Sequence, residues 1–370
     1  MEIHMKIGII DADVLDNGTR HPNLACLKMS GYFKEQGHDV KLITDYNDID
    51  NYDEVYMSKV FSFTKVPIDP FDTVRYPHLH IGGTGFFWKN APNLPDEIEH
   101  HMPDYHLYDD FIASEIARGI SPKKFSDYMD YSIGFTTRGC FRKCSFCVNE
   151  KYDRVFRHSP VSEFLDPTRK YIYLWDDNIL GYPKWKEVFD ELNATGKPFQ
   201  FRQGMDIRLM TEEKAKVLAK SRYHRDFIFA FDHIEDRELI EQKLSIWQEH
   251  CNKVPKLYVL CGYDSQDEVD IINTFERIKI LMSHHALPYI MRHADYEKSK
   301  YRGLYVTLAR WCNQPNFFKK KSFREYCITN QEYKKNQDTL CSSMIAMLEF
   351  EKDFPEIAKQ YYDIKWSDWD

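Results

Sequence analysis

An α/β fold in three parts is predicted for this chain. Residues 1–128 read as a Rossmann-like parallel-sheet domain, 129–300 as a partial (β/α)6 TIM-type barrel, and 301–370 as a mostly helical C-terminal region. Three observations predict it. Short apolar runs alternate with helical stretches from the start of the chain, as in parallel sheets. After Tyr131 the strand–helix alternation becomes steadier, with six candidate strands. Near the end, Met344, Met347 and Leu348 recur at helical spacing.

In the first part Lys6–Ile10 reads as a strand, followed by a helix over Asn23–Gln36 that Gly37 is placed to stop. Asp39–Ile43, Asp53–Val60 and Pro77–Ile81 are further strands, the last running into Gly82-Gly83. Glycines just after a strand let a backbone approach a ligand or a neighbouring helix closely. Only about sixteen residues separate Val60 from Pro77, little for a crossover helix. From 86 to 128 prolines punctuate an irregular stretch, with 94–110 expected as a linker over the next domain.

The six later strands are expected at Tyr131–Thr137, Tyr171–Trp175, Phe199–Arg202, Phe227–Phe231, Leu257–Cys261 and Tyr289–Arg292. Thr211 is expected to cap one helix, and Ser265-Gln266-Asp267-Glu268 to form a capping box on another. Ile240, Leu244 and Trp247 share one helical face, as do Ile271, Phe275, Ile278 and Met282. Leu304–Leu308 reads as one more strand, and Asp338–Phe350 as a helix.

Composition narrows the function. Hydrophobic content of 43% and charged content of 29% suit a soluble globular protein. No apolar run is long enough to span a bilayer, so no membrane partner is expected. The N-terminus leads straight into a strand with no signal-peptide pattern, which assigns the nine cysteines to a reducing compartment and the chain to the cytoplasm. A net charge of −8 argues against an unspecific nucleic-acid binder. Between Arg302 and Lys335, however, eight basic residues face two acidic ones, with aromatics interleaved. That pattern fits a phosphate-binding, base-stacking surface or a solvated helical face over an aromatic core, and the second reading is preferred.

The chemistry concentrates in Gly139-Cys140-Phe141-Arg142-Lys143-Cys144-Ser145-Phe146-Cys147. Three thiolates at C-x3-C-x2-C spacing grip three corners of a cubic iron–sulfur cluster, which ordinarily takes four cysteines. The run stops at three, so the last iron is left for a small molecule. Zinc sites close with four N/S ligands, and no histidine sits a few residues beyond Cys147. Cys312, Cys327 and Cys341 lie fourteen or fifteen positions apart and read as ordinary buried thiols.

This stretch resembles the cluster loop of the radical S-adenosylmethionine (SAM) superfamily, with the loop leaving the first barrel strand as that family requires. The resemblance implies a 4Fe–4S cluster on Cys140, Cys144 and Cys147, with Phe146 beside the SAM adenine. It implies cleavage of SAM to methionine and a 5′-deoxyadenosyl radical that abstracts hydrogen from a substrate. An external donor of the flavodoxin or ferredoxin type is expected to supply the electron. In such a barrel the strands' carboxyl ends carry the site. They offer Asp176, Asp177 and Asn178 for the SAM ammonium, Arg202 for its carboxylate, Asp232 for the ribose, and Gly262.

The first domain loosely resembles the cobalamin-binding domain that precedes the radical domain in one class of the superfamily, with Gly82 and Gly83 in place of that family's double glycine. The D-x-H-x-x-G lower-ligand motif is missing, and a vestigial scaffold is preferred over bound cobalamin, which is not excluded. Cobalamin-dependent radical methylation is therefore the first alternative, and a non-catalytic metal-binding or redox-sensing protein the second. Nucleotide or RNA, peptide and small metabolite all stay open as substrate classes.

Overall fold

The structure, a computed structural model, describes residues 4–149 and 151–369. The run Ile7-Gly8-Ile9-Ile10 presents apolar groups on both sides of the pleat, as a strand covered on both faces must. It forms β1 (Lys6–Asp11), which joins β2 (Asp39–Leu42), β3 (Glu54–Ser58) and β4 (Leu79–Gly82) in a parallel sheet of order β2-β1-β3-β4. The strands lie where the apolar runs place them. Asn23 starts the helix Leu24–Glu35 by accepting hydrogen bonds from the Ala25 and Cys26 N–H groups. The short β3–β4 connection holds no helix among the described residues. Its Val66, Ile68 and Tyr76 lie directly on the face that carries Ile10, Val55 and Met57.

The other face corrects one expectation. The 86–128 stretch is part of this core, with Tyr105, Leu107, Tyr108, Ile112, Phe125 and Tyr128 buried with Ile7, Ile9 and Leu27. Within it the helix Asp109–Ala117 turns Phe111, Ile112 and Ile116 onto this core beside Tyr108, at the i, i+3, i+4, i+8 spacing of one helical face.

At the end of β1 two neighbouring carboxylates are buried. Asp11 accepts from the Tyr108 hydroxyl at 2.8 Å and from the Asp13 and Val14 N–H groups. Asp13 accepts from Val60 N–H at 2.7 Å and from the Thr64 hydroxyl at 2.5 Å, tying β1 to the chain after β3. Burial, with Asp13 adding repulsion, pushes the Asp11 carboxyl up to about 6 against the pull of Tyr108. The folded state thus holds this proton more tightly than the unfolded chain does. Asp11 contributes stability that is complete below about pH 4 and lost as the pH rises through 6, on the order of 3 kcal/mol. Asp11→Asn is expected to gain stability on the wild type across that window. Urea midpoints that run parallel from pH 4 to 7 in the two proteins would refute this.

The chain divides into two compact units. The first runs to Asp177 and includes Asp190–Phe199. Beyond the sheet it contains β5 (Tyr131–Gly134), a short antiparallel pair of β6 (Thr137–Arg138) with β7 (Phe156–Arg157), and β8 (Tyr171–Leu174), parallel to β5. Ile172 N–H then donates to Pro198 O at 3.0 Å, just ahead of β9 (Phe199–Phe201).

The second unit comprises Asn178–Phe189 and the chain from Gln200 onward. Its parallel sheet is β10 (Ile228–Ala230), β11 (Lys256–Cys261) and β12 (Leu287–Arg292). All six strands expected after Tyr131 are therefore present. Thr211 caps Glu212–Lys220 through Lys214 N–H, and Ile240, Leu244 and Trp247 are buried together on Arg237–His250. The helix Glu268–Ser283 buries Ile271, Phe275, Ile278 and Met282, but its cap is Asp267, not Ser265. The Ser265 hydroxyl instead donates to Asp267 at 2.6 Å.

The last part is helical, over Arg302–Cys312, Phe323–Glu332, Ser342–Asp353 and Pro355–Tyr361. Leu304–Leu308, expected as a strand, lies within the first of these, where Leu304, Tyr305, Leu308 and Trp311 form one buried face. Tyr301, Tyr305, Trp311, Phe318, Phe323 and Tyr326 are all buried. These six aromatics of the basic stretch are thus core, while Phe317 is half-buried and Tyr333 is exposed. Among the described residues no helix is long and apolar enough to cross a membrane.

Candidate active site

The cysteine loop is a closed excursion from the end of β5. The β6–β7 pair sets Thr137 opposite Arg157 and Arg138 opposite Phe156, and His158 N–H donates to Thr136 O at 3.0 Å. These bonds tie the neck, so the loop leaves and returns at a fixed point. Gly139 turns the chain into the loop at φ +86, and a Cβ there would lie 2.4 Å from Arg154 O, so only glycine fits. Cys147 N–H donates to Cys144 O at 3.0 Å, which curls the loop at its second and third cysteines.

All three cysteines are half-buried, as is Phe146. Arg142 N–H points at Cys140 Sγ from 3.3 Å, and Asn149 N–H at Cys147 Sγ from 3.4 Å. Backbone donors on sulfur stabilise thiolates and help set the potential of an iron–sulfur cluster. Among the described residues no three His, Cys, Asp or Glu side chains gather closely enough to share one metal ion. Thiolates on a cubic cluster each take a different iron and need no common centre, so the donor set fits a cluster.

Two of the acids expected to meet SAM lie in the same unit, just after β8. Asp176 is 3% exposed and accepts four hydrogen bonds, from the N–H and hydroxyl of both Thr136 and Thr137, at 2.5 to 3.0 Å. Burial pushes its carboxyl up, against the pull of these donors. Asp177 accepts from Gly139 N–H and from the Asn149 side-chain amide, both at 2.6 Å, with Arg138 Nε 3.7 Å away. One carboxylate therefore fastens the strand that feeds the loop, and the next fastens the loop near its first and last cysteines. Thr136, Thr137, Arg138 and Asn149 were not singled out by sequence. The visible signal was two adjacent β-branched hydroxyl residues at a strand end, close before the first cysteine.

The same unit has a cavity of about 580 Å³ at the carboxyl ends of β3 and β4. Gly82 and Gly83 line it, with Phe33 and Leu94 among its apolar walls and Arg138 and Asn149 from beside the cysteine loop. Gly83 has φ +101, and a Cβ there would meet Lys59 O at 2.2 Å. Close packing of two backbones thus requires this glycine. Lys28 and Glu99, also in the lining, pair at 2.8 Å. Burial raises the Glu99 carboxyl, but His158 and Lys28 outweigh it and hold it down at about 2.

The remaining predicted residues belong to the second unit. Asn178 is buried at the start of a short turn of helix, Ile179–Gly181. Arg202 donates to the Gln200 amide oxygen at 3.3 Å, and its carbonyl accepts from the Tyr258 hydroxyl at 3.2 Å. Asp232 follows β10, and burial pushes its carboxyl up against the pull of Arg277 and His233. Arg277 also donates to the Asp232 carbonyl at 2.6 Å. Gly262 follows β11, and its N–H donates to Asp270 at 2.8 Å.

No protein-family model matches the chain, and no curated protein matches it. Solved structures do. The radical S-adenosylmethionine methyltransferase TsrM from Kitasatospora setae, with cobalamin and a 4Fe–4S cluster bound, superposes with a TM-score of 0.50 at 11% identity, over 78% of this chain and 75% of that one. The same enzyme with its tryptophan substrate and a SAM analogue, aza-SAM, gives 0.50 at 12% identity, over 77% and 72%. The cysteine loop sits at the end of β5, where the sequence resemblance puts it. Over about three quarters of its length the chain thus shares the fold of that enzyme.

Proposed function

We propose that this protein is a radical SAM enzyme, with Cys140, Cys144 and Cys147 holding a 4Fe–4S cluster. The observation that carries this is the three-cysteine loop, closed at its neck by β6–β7 and braced by Asp176 and Asp177. When bound, the cluster supplies the electron that splits SAM into methionine and a 5′-deoxyadenosyl radical, which takes hydrogen from the substrate. The chain's own part is to fix geometry. Asp176 and Asp177 act as positioning residues, and the N–H groups of Arg142 and Asn149 stabilise the thiolates. Asn178, Arg202, Asp232 and Gly262 are proposed for the SAM side, with Phe146 beside the adenine. An external low-potential donor of the flavodoxin or ferredoxin type provides the electron.

Cobalamin-dependent radical methylation is the second reading, favoured by the cavity beside Gly82 and Gly83 and by the shared fold. Its apolar walls and its size suit part of a large cofactor. One experiment tests both. Reconstituted anaerobically and reduced with SAM present, the protein is expected to release 5′-deoxyadenosine and methionine. Protein that carries iron and sulfide yet never cleaves SAM would overturn the first reading. After incubation with hydroxocobalamin and desalting, retained corrinoid absorbance and S-adenosylhomocysteine formation support the second, and a colourless corrinoid region removes it.

A further inference from the structure

Two adjoining grooves of about 470 and 530 Å³ run along the helix Arg302–Cys312, sharing Tyr296, Val306 and Arg310 in their walls. Arg302 lines the first and Arg292, from the carboxyl end of β12, lines the second. Glu297 is the one acidic residue in either lining among the described residues. None of the three arginines forms an ion pair among the described residues. Asp295, three positions from Arg292, is held by Lys298 at 2.5 Å. Arginines that serve the fold of this unit look different. Arg324 is shared by Glu351 and Asp363, and Arg208 by Asp206 and Asp236.

The grooves are held in shape. The Asn313 side chain accepts from Ile290 N–H at 2.7 Å and donates to Ile290 O at 3.1 Å, fastening the end of the helix to β12 as a neighbouring strand would. Near the helix start, a Cβ on Gly303 would meet Ala346 Cβ at 3.1 Å, so the helix Ser342–Asp353 packs closely against it. The Arg292 guanidinium lies 4.6 Å from the centre of the Tyr296 ring, which limits its freedom and leaves its N–H edge for a ligand.

A guanidinium fork matches phosphate oxygens, and three such forks with no ion pair among the described residues, spread over two adjoining grooves that hold a single acid, call for more than one anionic group. We infer that this surface binds a ligand carrying two or more phosphate groups, either a nucleic-acid strand or the polyphosphate of a nucleotide. Calling that ligand the substrate rests on the radical SAM reading above; its binding does not.

The test is direct titration of the purified full-length protein with a fluorescent single-stranded oligouridylate and, separately, with adenosine triphosphate. At least one probe is expected to bind, roughly tenfold more weakly for each of Arg292→Gln, Arg302→Gln and Arg310→Gln. If the strand is the ligand, its log–log salt slope falls by about 0.7 per arginine removed. If only the nucleotide binds, phosphate is still the recognised group and the source is a mononucleotide. Failure of both probes, unchanged affinity in the triple variant, or equal binding of polyglutamate overturns the inference. Wild-type protein that cleaves SAM but binds neither probe counts against this site alone, and wild-type protein that binds a probe but never cleaves SAM counts against the radical reading alone.

Discussion

Cys144→Ala is expected to leave a folded protein that no longer assembles its cluster and no longer cleaves SAM, and Cys140→Ala and Cys147→Ala should behave alike. A cubic cluster held by three side chains has no spare protein ligand, so removing one leaves two irons without an anchor. N–H groups already point at the Cys140 and Cys147 sulfurs, an arrangement suited to the proposed cluster ligands. Iron and acid-labile sulfide per chain, and the broad visible absorbance, should collapse together with 5′-deoxyadenosine formation. Cys341→Ala, at a half-buried thiol hydrogen-bonded to Ser343, should change neither. A Cys144→Ala protein that keeps its full iron, sulfide and absorbance would refute the assignment of ligands.

Asp176→Ala should be the most damaging change outside the cysteines. It strips the acceptor from two backbone N–H groups and two hydroxyls that are buried at Thr136 and Thr137. The hydroxyls can turn to other acceptors, but the N–H groups are fixed by the chain. Their loss of partners, with the cavity left behind, is expected to cost about 4 kcal/mol. Asp176→Asn keeps one acceptor oxygen and turns an amide N–H₂ toward the Thr136 N–H, so it should lose roughly half as much. The check is a urea midpoint for each variant, with iron per chain after reconstitution. Midpoints equal to wild type would show that the four bonds do not hold the strand that feeds the loop.

Much of the fold was legible because its signals are local. Apolar runs such as Ile7–Ile10 and Leu257–Cys261 mark strands without reference to anything distant, and the three cysteines sit on one short loop. The bonds that give the loop its shape were not legible, because they join residues about forty positions apart. Thr136 with Asp176 and Gly139 with Asp177 are such pairs. Asp176 read as a ligand of SAM because a polar residue at a strand end looks the same whether it faces solvent or backbone. The 105–128 stretch was legible only in part. Tyr108, Phe111, Ile112 and Ile116 share a helical face that the surrounding prolines obscure, whereas Tyr105 takes its place from the distant Ile133 and Phe164 carbonyls that its hydroxyl reaches. Leu304–Leu308 shows the limit of short windows, since five apolar-rich residues fit a strand as well as one face of a helix.

The tied neck of the cysteine loop has a consequence for the cluster proposed here. Its fasteners are strand pairing and carboxylates, and none of them is iron. If oxygen strips that cluster, these fasteners are expected to keep the loop in place, so the protein should take up iron and sulfide again without being refolded.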